Sequence, residues 1–309
     1  MTVPAELTAL IAAESARTPA PAALALLAAV RERFGPDLVA VLYYGSCRRS
    51  SAPDGLLDFY LLVDGTRTLR PLEAVLLRVL EPNVYYLEAP CADGVARSKT
   101  TMVTWDAFRR GTTPRWFHSY LWGRFSQPTS VLWTRDEAAA RAVQVALAQA
   151  PMTFIRKVLP LLPDEFSAED LWLTGLATSY RTELRSERPD KLRRLYQDEA
   201  DHLDRAVAVC AERLGYATGT PGRYRNPLGP GARRRGRIAW RVRMISGTLL
   251  SFLRIVKSAA TFDGALDYAA WKLSRQSGRP ISIPPQVRAH PWRHAPAFFW
   301  RLYREGVFR

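Results

Sequence analysis

The sequence predicts an α+β fold, in which a sheet domain precedes a mainly helical region. Runs of β-branched and aromatic residues that favour strands lie before Asp136, and helical periodicity dominates after it. Hydrophobic residues make up 48% of the 309 residues and charged residues 24%, which excludes a disordered chain. A chain of this length can form one large domain or two ordinary ones.

Periodicity, turn residues and helix-ending residues predict the elements in chain order. The first part is expected to contain helices at 5–16, 22–34 and 71–80, strands at 38–44, 57–63, 83–88, 98–104 and 129–133, and a mostly helical segment at 105–124. We expect its helices to cover one side of the sheet. Further helices are expected at 136–148, 152–162, 167–182, 189–214, 236–258 and 263–276, with a Gly/Pro/Arg-rich loop at 219–236.

The charge of the chain restricts its partners. The net charge is +15, and arginine carries nearly all of the positive charge. Such a field attracts nucleic acid, an anionic membrane surface or a phosphorylated substrate, and arginine suits paired hydrogen bonds to phosphate. No stretch reaches the roughly 18 uninterrupted apolar residues that span a bilayer. Any membrane contact is therefore expected to be peripheral.

The cysteines and histidines predict neither a metal centre nor a disulfide framework. Cys47, Cys91 and Cys210 are odd in number and lack metal-site spacing, which favours a reducing compartment. The four histidines also lack metal-ligand spacing. The apolar run at 20–30 follows acidic residues and has no basic start, so it predicts a buried helix and not a secretion signal.

The most informative motif joins two predicted strands. The run LYYGSC at 42–47 ends a strand at Gly45-Ser46, and LDFYLLVD at 57–64 opens the next strand with Asp58. Glycine lets the backbone approach phosphates, the Ser46 hydroxyl and nearby N–H groups can hold them, and a carboxylate can hold Mg²⁺. This arrangement resembles that of polymerase-beta-like nucleotidyltransferases. A plain turn followed by a capping aspartate gives the same local pattern, so both interpretations stay open here.

Further segments make the chain resemble one family, the mitochondrial-type phosphatidate cytidylyltransferases, also called translocator assembly and maintenance proteins. The matching segments follow the family's order over about residues 38–276. Besides the two strands they are NVYY at 83–86 with Lys99, YLWGRFSQP at 120–128, LLPDEF at 161–166, SYRTELR at 179–185, VKSAAT at 256–261 and YAAWKL at 268–273. No single segment is decisive, but their shared order is.

The chain departs from the family pattern at three places and from the wider superfamily's pattern at a fourth. Glu183 stands where the family usually has its third acidic residue, an aspartate, and Gln127 stands where it has a lysine. The residues after Gly-Ser are Cys-Arg-Arg at 47–49. Tyr60 stands where the wider superfamily has the second carboxylate of its D-x-D, a position that is commonly apolar in this family. These departures keep nucleotidyl transfer as the expectation and leave the substrate open.

The resemblance implies a division of the chain and an activity. It implies a nucleotidyltransferase domain over 1–150, a helical substrate domain with a winged-helix-like unit over 151–235, and a basic amphipathic, membrane-docking region over 236–309. The implied enzyme is a CTP:phosphatidate cytidylyltransferase, which makes CDP-diacylglycerol and pyrophosphate from CTP and phosphatidic acid with Mg²⁺.

The resemblance also implies the site residues. Asp58 is the expected Mg²⁺ ligand and Glu183 the second, although Glu183 also fits a solvated salt-bridge face. Asp64 is a further candidate catalytic carboxylate or only the exit turn of its strand. The residues expected to contact the triphosphate or the lipid phosphate are Tyr44, Gly45, Ser46, Lys99, Arg124 and Arg48. In the alternative interpretation, Lys99 and Arg124 are ordinary surface charges.

Two basic, aromatic segments are expected to meet an anionic membrane: RRRGR at 233–237 with the following helix, and the tail at 292–309. Their alternative is packing on the protein's own core. The lack of a mitochondrial-type presequence and the Ala/Arg bias predict a bacterial cytoplasmic protein, peripheral on the inner face of the plasma membrane. No nucleic acid partner is expected. The open alternatives are transfer to RNA or to another phospholipid, and a catalytically inactive lipid-binding relative.

Overall fold

The structure of the protein, a computed structural model, has an α+β fold built on a five-stranded mixed sheet. This structure describes residues 3–50, 55–92, 94–183, 188–218, 220, 222–261, 270, 274 and 280–304. The strands are β1 (Leu38–Tyr44), β2 (Leu56–Val63), β3 (Asn83–Cys91), β4 (Gly94–Thr104), β5 (Ser130–Thr134), β6 (Glu165–Phe166) and β7 (Tyr224–Arg225). The helices are α1 (Ala5–Ser15), α2 (Pro21–Phe34), α3 (Ser46–Ser50), α4 (Pro71–Val79), α5 (Trp105–Gly111), α6 (Glu137–Val158), α7 (Ala168–Arg181), α8 (Pro189–Asp198), α9 (Ala200–Leu214), α10 (Pro230–Thr261), α11 (Pro285–Ala289) and α12 (Pro291–Arg304).

The main sheet has the strand order β3-β4-β2-β1-β5. Its neighbours are antiparallel except for β2 and β4, which are parallel. A parallel pair needs a crossover, and here the chain passes through α4 and β3 before it returns as β4. The predicted α+β class is therefore confirmed.

Helices cover both faces of this sheet, so the expectation of helices on one side is wrong. Alternate residues of β1 and β2 enter separate cores: Leu42 and Tyr60 pack in one, Tyr43 and Phe59 in the other. Helix α2 supplies much of the second core, and α5 and α6 contribute to the first. The reason is visible in the strands, because near-continuous apolar runs are typical of strands buried on both faces.

Four of the predicted helical segments differ from the structure. The helices expected at 136–148 and 152–162 form the single helix α6, with Pro151 inside it, because the residues around Pro151 are buried and packing outweighs the lost hydrogen bond. The helix expected at 189–214 breaks at Glu199, whose backbone is not helical (φ −127°, ψ 18°). The segment at 105–124 is helical only to Gly111 and continues as turns.

Other differences concern the second half of the chain. Helix α10 begins at Pro230, inside the loop expected at 219–236. The short strands β6 and β7 were not predicted, since two residues each are too few to give a pattern. The helix expected at 263–276 lies almost wholly outside the described residues.

One core joins the sheet to the helical part. Leu42 of the sheet, Phe154 of α6, Trp172 of α7 and Trp240 of α10 belong to the same buried cluster. The predicted boundaries at 150/151 and 235/236 fall within α6 and α10, so these two helices carry the chain from one part to the next. Within the part of the chain that is described, no helix combines the length and apolarity needed to cross a bilayer.

Candidate active site

Three site residues predicted from the sequence lie side by side across three strands. Asp58 on β2 is directly opposite Tyr44 on β1 and directly opposite Lys99 on β4. Directly opposed residues on paired strands point to the same face of a sheet, and neighbouring strands lie about 4.8 Å apart. The sheet itself therefore sets the spacing between this carboxylate and this ammonium group.

The backbone turns sharply beside this row. Gly45 follows β1 with φ +90°, a conformation that L side chains rarely adopt. A Cβ atom at this position would lie 2.8 Å from Asp58 Oδ2, which is closer than packing allows. Glycine is needed here for both its conformation and its size, and α3 starts immediately afterwards with Ser46.

A cleft of about 280 Å³ opens at this end of the sheet. It gathers residues from β1, β2 and β4, from the turns before β5, and from α7 and α8. Its lining consists of Tyr44, Gly45, Ser46, Asp58, Lys99, Gly123, Arg124, Gln127, Pro128, Ser179, Tyr180, Glu183, Lys191, Leu192 and Leu195. All of the predicted site residues except Asp64 and Arg48 therefore lie on this one cleft.

Arg124 lies at the centre of the lining. Its Nη1 donates a hydrogen bond to the Tyr44 hydroxyl oxygen at 2.9 Å, and its Nη2 donates to Glu183 Oε2 at 2.5 Å. Its guanidinium also lies 4.9 Å from the ring centre of Tyr120 and 5.8 Å from that of Tyr60. Aromatic faces attract cations. These contacts hold a positive charge at a fixed point in the cleft wall.

Tyr44 and Tyr60, which lie against Arg124, are neutral. Burial raises the pKa of Tyr44 and of Tyr60 well above the usual value for a phenol. The hydroxyl of Tyr60 also shares a hydrogen bond of 2.5 Å with that of Tyr120. The charge in this layer therefore belongs to the Arg124–Glu183 pair.

The helical half of the chain closes the other side of the cleft. The Tyr180 hydroxyl on α7 donates to Gln127 Oε1 at 3.3 Å, which connects α7 to the turn before β5. Ser179, Tyr180 and Gln127 occur in the segments that carry the family resemblance, so the sequence could have identified them as site residues. Lys191 on α8 also lines the cleft, and no motif in the sequence marks it.

The carboxylates of the cleft suit a magnesium ion bound together with phosphates. Asp58 and Glu183 are the acidic residues among the described lining residues. No cluster of three or more His, Cys, Asp or Glu side chains that suits a metal occurs in the described residues. Mg²⁺ commonly binds through one or two carboxylates and completes its shell with water and substrate phosphates. The donor set therefore fits an ion that arrives with a triphosphate.

Asp64 lies outside the cleft. It follows the last residue of β2, and six residues along a strand amount to about 20 Å from Asp58. Arg135 donates two hydrogen bonds to its carboxylate, at 2.6 and 2.8 Å. These bonds lower the pKa of Asp64. The exit-turn alternative matches this position.

Arg48 also lies outside the cleft, although it is only two residues from Ser46. Its side chain is 4% exposed and forms ion pairs with Glu14 of α1, at 2.5 Å, and with Glu199 at the start of α9. His202 Nδ1 lies 3.4 Å from Glu14 Oε1 on the other side. We refer to these four residues as the Arg48 cluster. Its carboxylates hold Arg48 away from the cleft, where it was expected to contact phosphate.

The cleft has the chemistry of a polyphosphate site. Among the described lining residues the cations Lys99, Arg124 and Lys191 face the carboxylates Asp58 and Glu183. Cations that bind phosphate oxygens beside carboxylates that bind a divalent ion neutralise a triphosphate and hold it in place. Such a site can transfer a phosphoryl or nucleotidyl group, because that chemistry depends mainly on charge neutralisation and alignment.

Comparison with protein-family models finds no match to this chain. No curated protein matches it either. The family resemblance therefore stays a prediction that depends on the motifs and their order.

Proposed function

We propose that this protein is a Mg²⁺-dependent nucleotidyltransferase that transfers a cytidylyl group from CTP to phosphatidic acid. One observation carries the proposal: seven residues chosen from the sequence, spread from Tyr44 to Glu183, line a single cleft. Motif residues with no common role would not be expected to meet in this way. The choice of CTP and of phosphatidic acid comes from the family resemblance.

In the proposed reaction, a phosphate oxygen of phosphatidic acid attacks the α-phosphorus of CTP. The new P–O bond forms as the bond from the α-phosphorus to the bridging oxygen breaks, and pyrophosphate leaves. Gly45 and Ser46 bind the triphosphate, while Lys99 and Arg124 offset the charge that develops on it. Holding donor and acceptor in line accounts for much of the rate in such a transfer.

Asp58 is the residue that would hold the magnesium ion, together with the phosphate oxygens of CTP. When bound, the ion supplies charge neutralisation and polarises the phosphorus. The position of Asp58 in the middle of three paired strands supports this role, because a rigid carrier keeps a ligand in a constant position.

The fold and the location belong to the same proposal. We assign the sheet and the helices on it to the polymerase-beta-like class, and α7 to α9 with the β6–β7 pair to a winged-helix-like unit. The mixed five-stranded sheet and the two-stranded sheet beside these helices support this assignment. The protein would act in the bacterial cytoplasm, at the inner face of the plasma membrane.

The Arg124–Glu183 ion pair favours a second candidate function, that of a protein that binds lipid and nucleotide without catalysing transfer. Glu183 already accepts a hydrogen bond from Arg124, and an acidic residue held in this way is a weaker candidate for a metal ligand. A relative that binds lipid and nucleotide without transfer would also keep this pair. The two candidates differ in one result, which is the appearance of a lipid-linked cytidylyl group.

A transfer assay tests the proposal with a matched pair of variants, one within β2 and one just after its end. Purified protein is incubated with Mg²⁺, radiolabelled CTP and vesicles with or without phosphatidic acid. We expect label in the lipid extract only with phosphatidic acid, and its loss on addition of a chelator. Asp58→Asn should reduce transfer at least about a hundredfold, and Asp64→Asn should leave it nearly unchanged. Intact nucleotide binding without transfer from any of the four nucleoside triphosphates would favour the second candidate.

A further inference from the structure

Helix α10 presents apolar residues outward along much of its length. Six apolar residues of this helix are 42% to 75% exposed: Ile238, Val242, Ile245, Leu249, Phe252 and Leu253. The first five follow each other at intervals of three or four positions, and Leu253 comes directly after Phe252. This spacing puts them on one face of the helix. The opposite face carries Arg243, Ser251 and Lys257, which are all less than 9% exposed. A helix that faces water has the reverse distribution.

The inward face of α10, which also carries the buried Trp240, is held against the protein by hydrogen bonds. Arg243 Nε donates to the Phe117 carbonyl oxygen at 2.5 Å, and Arg254 Nε donates to the Glu81 carbonyl oxygen at 2.6 Å. Lys257 Nζ donates to three backbone carbonyl oxygens at and just beyond the end of α4, at 2.6 to 3.1 Å. Buried polar groups with partners do not rotate outward at low cost. The apolar face of α10 is therefore fixed outward.

Helix α4 repeats this arrangement next to the end of α10. Leu72, Val75 and Val79 point outward and are 54% to 76% exposed, whereas Glu73 and Leu77 of the same helix are buried. Lys257 and Arg254 bind backbone carbonyl groups just beyond the end of α4, so this part of α10 is anchored beside that end of α4. We call the outward residues of α4 and α10 the apolar stripes.

A cleft of about 220 Å³, which we call the arginine cleft, lies between the end of α4 and the middle of α10. Val79 and Leu80 line it from the α4 side and Leu250 from α10, and its described cations are Arg78, Arg110 and Arg254. One carboxylate, that of Glu81, also lines it and accepts a hydrogen bond from the Thr104 hydroxyl at 2.5 Å. Arg110 also pairs with the exposed Asp106 at 3.0 Å. The lining therefore has more cations than anions.

One residue that lines the cleft has a buried polar atom. His118 Nδ1 is buried and has no hydrogen-bond partner among the described residues. A small cavity lined by both His118 and Glu183 lies between this cleft and the candidate active site, which Glu183 also lines. The arginine cleft is therefore a neighbour of the proposed reaction centre.

We propose that the apolar stripes of α4 and α10 form one surface that docks on an anionic bilayer, with a lipid phosphate bound in the arginine cleft between these two helices. A bilayer offers apolar contact for the stripes and anions for the cleft and for the net charge of +15. A protein partner would need acidic groups matched to the cleft and an apolar surface matched to both stripes. The proposal deepens the proposed function, from which it takes the anionic phospholipid, and it adds α4 of the sheet domain to the docking surface.

Vesicle flotation tests the stripes independently of catalysis. The full chain carrying Asp58→Asn is mixed with vesicles of phosphatidylcholine alone or with added phosphatidylglycerol. We expect this protein to float with the anionic vesicles. Adding Ile245→Ser and Leu249→Ser should reduce partition about tenfold or more, because apolar contact is lost. The matched control adds Leu24→Ser and Val145→Ser, which are each 49% exposed on other helices, and should bind as before.

A second pair of variants tests the cleft. Arg78→Ala with Arg110→Ala should reduce partition onto anionic vesicles about fivefold for each arginine and leave the weak binding to neutral vesicles unchanged. Arg141→Ala, on the exposed part of α6, removes one positive charge away from the cleft and should have little effect, where each cleft arginine should cost about fivefold. Vesicles with phosphatidic acid in place of phosphatidylglycerol separate a specific headgroup site from general attraction to anions.

Several results would overturn the proposal. Equal binding by the stripe variants and the parent would do so. So would a loss of binding in a Trp300→Ser variant of the tail when the stripe variants bind normally. A parent that is a dimer in analytical ultracentrifugation, with monomeric stripe variants, would identify a second copy of the chain as the occupant. Because the tests use an Asp58→Asn background, failure of docking and failure of catalysis are separate results.

Discussion

The Arg48 cluster gives the most demanding prediction about stability. Replacing Arg48 with leucine leaves Glu14 and Glu199 buried without their common cation, since the three side chains are 4% to 10% exposed. Breaking a buried ion pair by removal of one partner costs about 3–5 kcal/mol in free energy of unfolding. We therefore expect Arg48→Leu to be destabilised by that amount, a large fraction of the stability of a typical domain.

The acid dependence of stability provides a second test of the Arg48 cluster. Burial would raise the pKa of Glu14, but His202 and Arg48 outweigh it and hold that pKa at about 2, against 4.5 for an ordinary glutamate. A depressed folded-state pKa stabilises the protein above the unfolded value, and the effect is lost as the pH falls from about 4.5 to about 2. At 1.36 kcal/mol per unit this is on the order of 3 kcal/mol. The Arg48→Leu variant should lose part of this acid dependence.

The assay is unfolding by denaturant, followed by circular dichroism at neutral pH and in steps down to about pH 3. Arg141→Leu is the control, because Arg141 is 71% exposed and pairs with Glu137 in the i,i+4 position. Exposed helix pairs of this kind contribute about 0.3–0.5 kcal/mol. A loss below about 1 kcal/mol for Arg48→Leu would refute the reasoning. An acid profile equal to that of the unmodified protein would refute it as well.

Two further predictions concern the cleft. Gly45→Ala should weaken nucleoside triphosphate binding at least about tenfold in a titration, because the added Cβ meets the Asp58 carboxylate. Gly94 also has a positive φ, but the space around its Cβ position is open, so Gly94→Ala should cost about 1 kcal/mol in an unfolding curve and leave binding intact. Arg124→Lys should weaken nucleoside triphosphate binding about tenfold, because one ammonium group cannot reach both acceptors that Arg124 bridges. Arg135→Lys, on the exposed surface, should leave this binding unchanged. Equal binding by both lysine variants would contradict the prediction.

The sheet and the row of site residues could be predicted because their signals are local. Strands β1 and β2 are apolar runs bounded by turn residues, and Asp58 stands at a fixed offset within one of them. The failed helix over 105–124 shows the limit of such signals. Aromatic residues such as Trp122 have a spacing there that suits a helix, yet they pack into the core from turns.

Features that depend on contacts distant in sequence could not be predicted. The position of Arg48 depends on Glu14 and Glu199, and Glu199 is 151 residues further along the chain. No local spacing states that these three meet. Lys191 likewise joins the candidate site only because α8 packs beside the cleft. The apolar face of α10 was expected from its composition, but its inward polar side depends on carbonyl groups of other segments.

The pairing of Tyr44, Asp58 and Lys99 has a consequence for which changes of chain length the site can tolerate. Between β2 and β4 the chain makes a long excursion through α4 and β3, and residues added in its turns leave the pairing of β2 with β4 as it is. A single residue deleted within β2 before Asp58 has the opposite effect. It shifts the strand by one position and moves the carboxylate to the other face of the sheet, into the core beneath α2. The chemistry of this protein should therefore tolerate variable turns and lose activity with one missing residue.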